Sequence, residues 1–212
     1  YNSRWYSGNH ELVSGKIHMV NTIADFGDIN RRNVYYLIYD PATGEVSNVS
    51  GSVTTAAGSL PIDITTLDAS YRIVTQTTNG GNIPNLCFDA LGDPHIIYMD
   101  GVPDSTSFGV YHITRTAGAW SSPYLLGTSY SADSVYTITP LTSGVKAYWT
   151  QQRGRPSWYS GSGRRDGGNV WTATRSGAGA WGSPSLLQGA HDFALGEPAM
   201  VRFGDPDFRV MW

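Results

Sequence analysis

Three segments of the sequence share one pattern: an alternating aromatic run, a glycine-containing turn and a final apolar residue. They read NVYYLIYDPATGEV (33–46), FGVYHITRTAGAW (108–120) and NVWTATRSGAGAW (169–181). A second strand-like run comes before each of them, as KIHMVNT (16–22), PHIIYMD (94–100) and VKAYWTQ (145–151), with a further copy, FRVMW, at 208–212. Runs of a third kind come earlier still, at 82–93, 133–144 and 195–207, and short runs follow the shared pattern at 121–127 and 182–189. Four strands recurring in one order every 50–70 residues or so are typical of a β-propeller blade.

We therefore predict an all-β protein, a propeller of four-stranded antiparallel blades with about three and a half blades in this chain. The chain, 1–212, is interpreted as one propeller domain or a fragment of one. Its predicted blades are 10–57, 82–127, 133–189 and an incomplete blade at 195–212. Because propellers close with typically four to eight blades, we expect further polypeptide to complete the ring. The alternative is closure by residues 1–8.

The composition excludes several classes of function. The net charge of −3 provides no overall positive field for nucleic acid, and no apolar run approaches the roughly 20 residues of a membrane span. The single cysteine, Cys87, cannot form an intrachain disulfide and is expected to be a small core residue. No metal-ligand cluster, phosphate loop or nucleophile elbow is present, so we expect neither a metal nor another cofactor.

The connections between predicted strands differ in length according to the side on which they emerge. The first-to-second and third-to-fourth connections are short and rich in glycine, as hairpin turns are. The second-to-third connections are longer, at 24–32, 101–107 and 152–168, and the connection between the first two blades, 58–81, is longer again. Up-and-down strand order places all the long connections on one face. Long loops in a compact domain are usually functional or disordered, so we expect the functional site on this face.

Several of these segments resemble a known family of propellers. ITRTAGAWSSPYLLG and ATRSGAGAWGSPSLLQG resemble one corner of the repeats in bacterial neuraminidase repeat (BNR, or Asp-box) propellers, although the Asp of the box is missing. GKIHMVNTIADFGDINRRNVYYLIYDPATGEVSNV and IPNLCFDALGDPHIIYMDG resemble a subgroup that includes secreted polysaccharide lyases acting on ulvan and rhamnose–glucuronate chains. Lyase-like members commonly carry a histidine a few residues before the inner-strand proline, and this chain reads GGNIP at 80–84. The resemblance implies a carbohydrate-active protein that is secreted, extracellular or periplasmic.

An acidic polysaccharide is the expected partner, because arginine binds carboxylate and sulfate bidentately and aromatic rings can stack on sugars. Arginines and aromatic residues gather in the long connections, most densely in 152–168. The residues predicted to bind substrate are Arg31, Arg32, Arg72, Asn82, Trp158, Tyr159, Arg164 and Arg165.

Catalysis would require groups that transfer protons. A lyase needs a base, an acid and a cation that neutralises the uronate carboxylate, whereas a glycosidase needs two carboxylates. The candidates, at strand mouths and in long connections, are His10, His191, Tyr71, Glu197 and Asp133. Glu197 and Asp133 are the candidate pair for a glycosidase. Two alternatives to an enzyme stay open: a noncatalytic glycan-binding or adhesin propeller of a secreted or virion assembly, and a protein–protein scaffold.

Overall fold

A computed structural model of the chain describes residues 3–25, 31–76, 83–101, 107–129, 136–152, 168–188, 199–200 and 210–211. These residues confirm the all-β prediction, since antiparallel strands make up most of them. Within the described residues the strands form four sheets, which follow one another along the chain. Closure of a ring and the number of blades in it stay predictions.

Sheet 1 contains the first six strands and the only α-helix within the described ranges. Its strands are β1 (Ser3–Val13), β2 (Lys16–Asp25), β3 (Arg31–Asp40), β4 (Glu45–Ser47), β5 (Thr54–Thr55) and β6 (Arg72–Val74). They are ordered β1-β2-β3-β4-β5, and β6 also pairs with β3. A 3-10 turn (Ala57–Ser59) and helix α1 (Ile64–Ser70) connect β5 to β6.

Sheets 2 and 3 repeat the same order with different outer strands. Sheet 2 contains β7 (Asn85–Phe88), β8 (Pro94–Gly101), β9 (Phe108–Thr116), β10 (Ala119–Trp120) and β11 (Tyr124–Ser129). Sheet 3 contains β12 (Tyr136–Leu141), β13 (Gly144–Gln152), β14 (Gly168–Ser176) and β15 (Ser185–Gln188). A fourth sheet pairs β16 (Ala199–Met200) with β17 (Val210–Met211).

The first strands of successive sheets lie side by side. Strand β7 contacts both β1 and β12, and β12 also contacts β16. Asn9 of β1 fixes the first of these contacts, because its amide donates to the backbone carbonyl of Leu86 and accepts from the backbone amide of Leu86. Gly8 permits this approach, since a Cβ there would lie 2.0 Å from the carbonyl oxygen of Pro84. Strands β1 and β7 are therefore joined through side-chain-to-backbone hydrogen bonds.

The core lies in two seams between sheets and in a third cluster under α1. The first seam, between sheets 1 and 2, buries Val20, Tyr36, Leu86, Ile96 and Tyr98 among others. The second seam, between sheets 2 and 3, contains Cys87, Ile97, Met99, Val145 and Trp149 among others. Because β8 faces a seam on each side, all of its residues are buried. Cys87 is fully buried, as expected from the sequence.

In sheets 1 and 2, short turns and long connections leave opposite edges of the sheet. The turns after β1, β7, β12 and β9 span only two to five residues, between strands whose bounds are given above. The connections after β2 and β8 leave the other end of these strands. We call this second end the long-connection edge, formed in the described chain by 31–35, 72–76, 99–101 and 107–109.

Candidate functional site

Four polar side chains meet where β3 begins, at the long-connection edge. One carboxylate oxygen of Asp68, Oδ1, lies 2.8 Å from the hydroxyl of Tyr35, 3.3 Å from Nη1 of Arg72 and 3.4 Å from Nδ2 of Asn33. Asn33 Nδ2 also donates to the hydroxyl of Tyr35 at 3.1 Å. We call these four residues the Asp68 cluster. Asp68 Oδ1 is therefore a shared acceptor that fixes the positions of the Arg72 cation and of the neutral donors of Tyr35 and Asn33.

Local folding of the 58–81 connection brings the Asp68 cluster together. Asp63 caps α1, accepting at Oδ1 from the backbone amide of Thr66 at 3.0 Å, and buried Leu67 anchors the helix to the core. The chain then returns along β3, so that Arg72 pairs with Tyr35 in the β-ladder. The sequence suggested only a long loop here, because a seven-residue helix is too short to show a clear helical period.

Burial controls the protonation state of the phenol in this cluster. Burial is the main cause that raises the pKa of Tyr35 to about 12, with the hydrogen bond from Asn33 opposing it and Asp68 adding to it. Tyr35 therefore stays protonated near neutral pH and donates to Asp68 instead of acting as a base.

The Asp68 cluster is connected directly to sheet 2. The backbone amide of Gln76 donates to Asn33 Oδ1 at 3.2 Å, and the side-chain amide of Gln76 donates to the carbonyl of Met99 near the end of β8. The start of β3 and the end of β8 therefore lie at one edge, so the connections 24–32 and 101–107 leave the sheets beside each other. The sequence predicted that these two connections leave from the same face, and their positions agree with that prediction.

Arg72 is the predicted anion-binding residue whose side chain the structure describes. Its ion pair with Asp68 is 3.3 Å long, and the two side chains are 34% and 38% exposed, so the guanidinium lies at the solvent boundary. Arg31 and Arg32 occupy the first two positions of β3, opposite Ala24 and Ile23. Their backbones therefore place both residues at the long-connection edge.

Eight of the predicted site residues lie outside the described residues. Most of the 152–168 connection also lies outside the described residues, so the face on which that connection lies stays a prediction. The residues concerned are Asn82, Asp133, Trp158, Tyr159, Arg164, Arg165, His191 and Glu197.

The structure corrects the expectation for Tyr71. Its ring is 1% exposed, and its hydroxyl donates to the carbonyl of Val46 at 3.1 Å and lies 2.8 Å from Thr55 Oγ1. The residue completes the apolar cluster between α1 and sheet 1. A side chain that is packed on all sides can neither stack on a sugar nor exchange a proton with one.

The structure also separates His10 from the Asp68 cluster. His10 is exposed on β1, opposite Met19, and Met19 lies opposite Leu37. Tyr35 of the cluster lies opposite Asn21, farther from the β1–β2 turn. His10 is therefore nearer the short-turn edge, and the register does not bring it to the arginine that it would have to assist.

Two other histidines form a buried chain of hydrogen bonds across the second seam. Trp181 Nε1 donates to His112 Nδ1 at 3.2 Å, and His112 Nε2 lies 2.9 Å from His95 Nδ1. His95 Nε2 in turn lies 3.4 Å from Asp89 Oδ2. An indole nitrogen can only donate, so both neutral imidazoles carry their proton on Nε2 and every bond runs towards Asp89.

This chain of hydrogen bonds contributes to packing and not to catalysis. His95 and His112 are 1% and 2% exposed. Burial is the main cause that lowers the pKa of His95, against the opposing effect of Asp89, and burial also places the pKa of His112 well below its usual value. Both imidazoles are therefore neutral near pH 7, and substrate cannot reach them.

The described site thus offers one partly exposed cation, but it does not assemble a complete set of groups for elimination. Arg72 supplies a partly exposed cation, Tyr35 is a neutral donor, and the described histidines lie elsewhere. Within the described ranges, no group of three or more His, Cys, Asp or Glu side chains is placed to hold a metal ion. The same part of the chain contains no helix long and apolar enough to cross a membrane.

Comparison with solved structures finds the same fold in polysaccharide lyases. One, described as a new family of polysaccharide lyase, PL25 ulvan lyase, superposes with a TM-score of 0.60 at 17% identity, covering 87% of this chain and 42% of the lyase. The same kind of lyase bound to -[GlcA(1-4)Rha3S]- gives a TM-score of 0.60 at 16% identity and the same coverage. At such identities the similarity concerns the fold alone. This chain spans less than half the length of those lyases.

Sequence comparison gives a family assignment. No curated protein matches the chain significantly. The model of a family described as BNR repeat-containing family member matches residues 2–125, which is more than half of the chain. That match contains all of sheet 1 and most of sheet 2, including the Asp68 cluster and its connection to Met99. The chain therefore belongs to the BNR repeat-containing family, which confirms the resemblance found in its repeats.

Proposed function

We propose that the protein is a carbohydrate-active member of this family that binds an acidic polysaccharide along the long-connection edge. The observation that carries the proposal is Arg72, a guanidinium at the solvent boundary that a network of Asp68, Tyr35 and Asn33 holds in place. A positioned guanidinium suits the carboxylate of a uronate or a sulfate ester. Support from the fold comes from the lyase that was solved with -[GlcA(1-4)Rha3S]- bound.

The proposal extends to neighbouring residues that were predicted from the sequence. Arg31 and Arg32 begin β3 at the same edge, and the connection 152–168 would add Trp158 or Tyr159 as a stacking platform and Arg164 and Arg165 as anion contacts. Acidic polysaccharides of this kind are met outside the cytoplasm, so we also propose an extracellular or periplasmic location.

Replacing Arg72 with Gln tests the binding proposal. We expect binding of a glucuronate-rich sulfated polysaccharide, measured by isothermal titration calorimetry, to weaken about tenfold, because a hydrogen bond to a charged group is lost. The affinity of the unmodified protein should also fall as salt is added. Arg115→Gln is a matched control, since Arg115 lies beside the short turn after β9. Equal binding by the two variants, or no binding of acidic polymers by the unmodified protein, would contradict the proposal.

Lyase-type β-elimination is a second candidate function, favoured by the fold shared with the ulvan lyases. Elimination leaves an unsaturated uronate that absorbs in the ultraviolet. Incubating the protein with a panel of uronate polysaccharides and following this absorbance separates an enzyme from a binding protein. An increase in absorbance that Arg72→Gln abolishes would identify a lyase, whereas binding without any product identifies a noncatalytic propeller.

A further inference from the structure

The two carboxylate oxygens of Asp68 have different surroundings. Oδ1 accepts from the hydroxyl of Tyr35, from Nη1 of Arg72 and from Nδ2 of Asn33. Oδ2 makes no hydrogen bond or ion pair with any of the described residues. It is not one of the buried side-chain atoms that lack a partner in the described chain, so it is open to solvent. Because the Asp68 side chain is 38% exposed, Oδ2 is an acceptor that a ligand can reach.

The guanidinium of Arg72 also has unused hydrogen-bonding groups. Nη1 lies 3.3 Å from Asp68 Oδ1, whereas Nη2 and Nε make no hydrogen bond with the described residues. A guanidinium carries five donor hydrogens and no acceptor, and a carboxylate only accepts. The ion pair between Arg72 and Asp68 therefore presents unused donors beside an unused acceptor at the solvent boundary.

Asn33 helps to fix the orientation of this ion pair. Its φ of 61° lies in the left-handed region, which few residues other than glycine adopt and which asparagine tolerates. Its Oδ1 accepts from the backbone amide of Gln76, and its Nδ2 donates to Asp68 and to Tyr35. Unusual backbone angles that surrounding contacts maintain are concentrated at ligand-binding sites. These contacts keep Asp68 Oδ1 occupied, so Oδ2 is the oxygen left for a ligand.

A ligand that uses both sides of the ion pair must carry an acceptor and a donor close together. A carboxylate or sulfate accepts from Arg72 but cannot donate to Asp68, and the charge of Asp68 repels it. A sugar hydroxyl can donate to Oδ2 of Asp68. A uronate carries both kinds of group on one ring, whereas a sugar whose hydroxyls are all sulfated offers acceptors only.

We propose that Asp68 is a specificity-determining residue whose Oδ2 accepts a hydrogen bond from a hydroxyl of the same sugar unit whose anionic group binds Arg72. The inference rests on the proposed function and deepens it by naming the substrate class, an acidic sugar with a free hydroxyl near its anionic group. Asp68 lowers the affinity for anions in general and offsets this loss only for ligands with such a hydroxyl. Repulsion of the wrong ligand is a common source of specificity.

Methyl glucuronate and its three monodeoxy analogues, each of which lacks one ring hydroxyl, test the inference by ligand-observed NMR. We expect the parent glycoside to bind in the millimolar range and at least one analogue to bind about tenfold more weakly, because a hydrogen bond to a charged group is lost. In Asp68→Asn this difference should fall to about twofold or less, because the amide nitrogen that replaces Oδ2 cannot accept. Asp40→Asn is the matched control and should keep the tenfold difference, since Asp40 ends β3 at the short-turn edge and pairs with Lys16 at 3.1 Å.

Inorganic sulfate, measured by its competition with methyl glucuronate, separates specificity from a structural role of Asp68. Sulfate offers no hydroxyl, so it should bind Asp68→Asn at least as tightly as the unmodified protein, because a repelling charge is removed. Weaker sulfate binding by a variant that is folded by its thermal unfolding would mean that Asp68 only holds Arg72 in place, and would overturn the inference.

The other outcomes distinguish the inference from the proposed function. If acidic polymer binds but every deoxy analogue binds as well as methyl glucuronate, or no glycoside binds at all, the inference is overturned and the proposed function stands. An equal deoxy effect in Asp68→Asn and in the unmodified protein also overturns the inference alone. If neither acidic polymer nor methyl glucuronate binds the unmodified protein, the proposed function fails and the inference fails with it.

Discussion

Lowering the pH from about 7.5 to about 5.5 should destabilise the protein through its two buried histidines. In the folded state, the donor of Trp181 occupies His112 Nδ1, and His112 Nε2–H occupies His95 Nδ1. A proton added to either ring creates two donors that face each other and breaks a bond of the chain. Arg175 also opposes protonation of both rings, while Asp89 and Asp93 favour it at His95.

The sign and size of this loss of stability follow from the linkage between proton binding and unfolding. The pKa of each imidazole is lower in the folded than in the unfolded protein, so the unfolded state binds more protons as pH falls below about 6.5. Stability is therefore retained above this pH and lost below it. Over this interval each ring can contribute a loss of at most about 1.4 kcal/mol, and the pair at most about 2.7 kcal/mol.

Urea unfolding followed by tryptophan fluorescence at several pH values measures this loss. His112→Gln keeps a hydrogen-bonding side chain but removes one titrating group, so it should reduce the pH-dependent loss by about 1.4 kcal/mol. His10→Gln is the control, because His10 is exposed and takes no part in this chain of hydrogen bonds. His18 is partly buried with a lowered pKa and contributes equally to both variants. A flat stability profile, or the same slope in His112→Gln as in the unmodified protein, would refute this reasoning.

Three further changes test the packing. Asn9→Ala should cost about 2–4 kcal/mol of unfolding free energy, because two backbone groups of the neighbouring inner strand lose their partner; a loss below about 0.5 kcal/mol would contradict that role. Gly144→Ala places a Cβ 2.0 Å from a backbone oxygen, at φ 119°. Its cost in unfolding free energy should clearly exceed that of Gly92→Ala, where φ is 83° and the space is open, so that only about 1–2 kcal/mol of backbone strain is added. Equal melting temperatures of the two variants would rule this out. Tyr71→Phe should cost about 1–2 kcal/mol without changing polysaccharide binding, and weakened binding at full stability would return Tyr71 to the site.

Much of the strand order could be predicted from the repeats. The alternating runs at 33–46, 94–100, 108–120 and 145–151 all contain or coincide with strands, and the glycine-rich turns between them are short. These features are local, because the strand period and the turn chemistry depend on residues close together in the chain. Arg31, Arg32 and Arg72 could be placed at the long-connection edge for the same reason.

Other features depend on contacts between distant residues. Strand β8 is buried on both faces because a sheet packs on each side of it, whereas its sequence alone fits several positions in a β protein. The exposed Arg72 and the buried Tyr71 are neighbours in the chain, and only the return of β6 along β3 separates their environments. Sequence reasoning therefore grouped them, and it missed Asn33, Tyr35 and Asp68.

The sequence by itself determined the all-β class, the repeating strand order, the edge at which the connections 24–32 and 101–107 leave the sheets, and the family. The tertiary structure alone decided which side chains meet across a seam. Asn9 and Leu86 are separated by 77 residues, and His112 and Trp181 by 69. Strand patterns reflect interactions within a few residues, whereas these contacts depend on how whole sheets pack against each other, and no local period in the sequence specifies that packing.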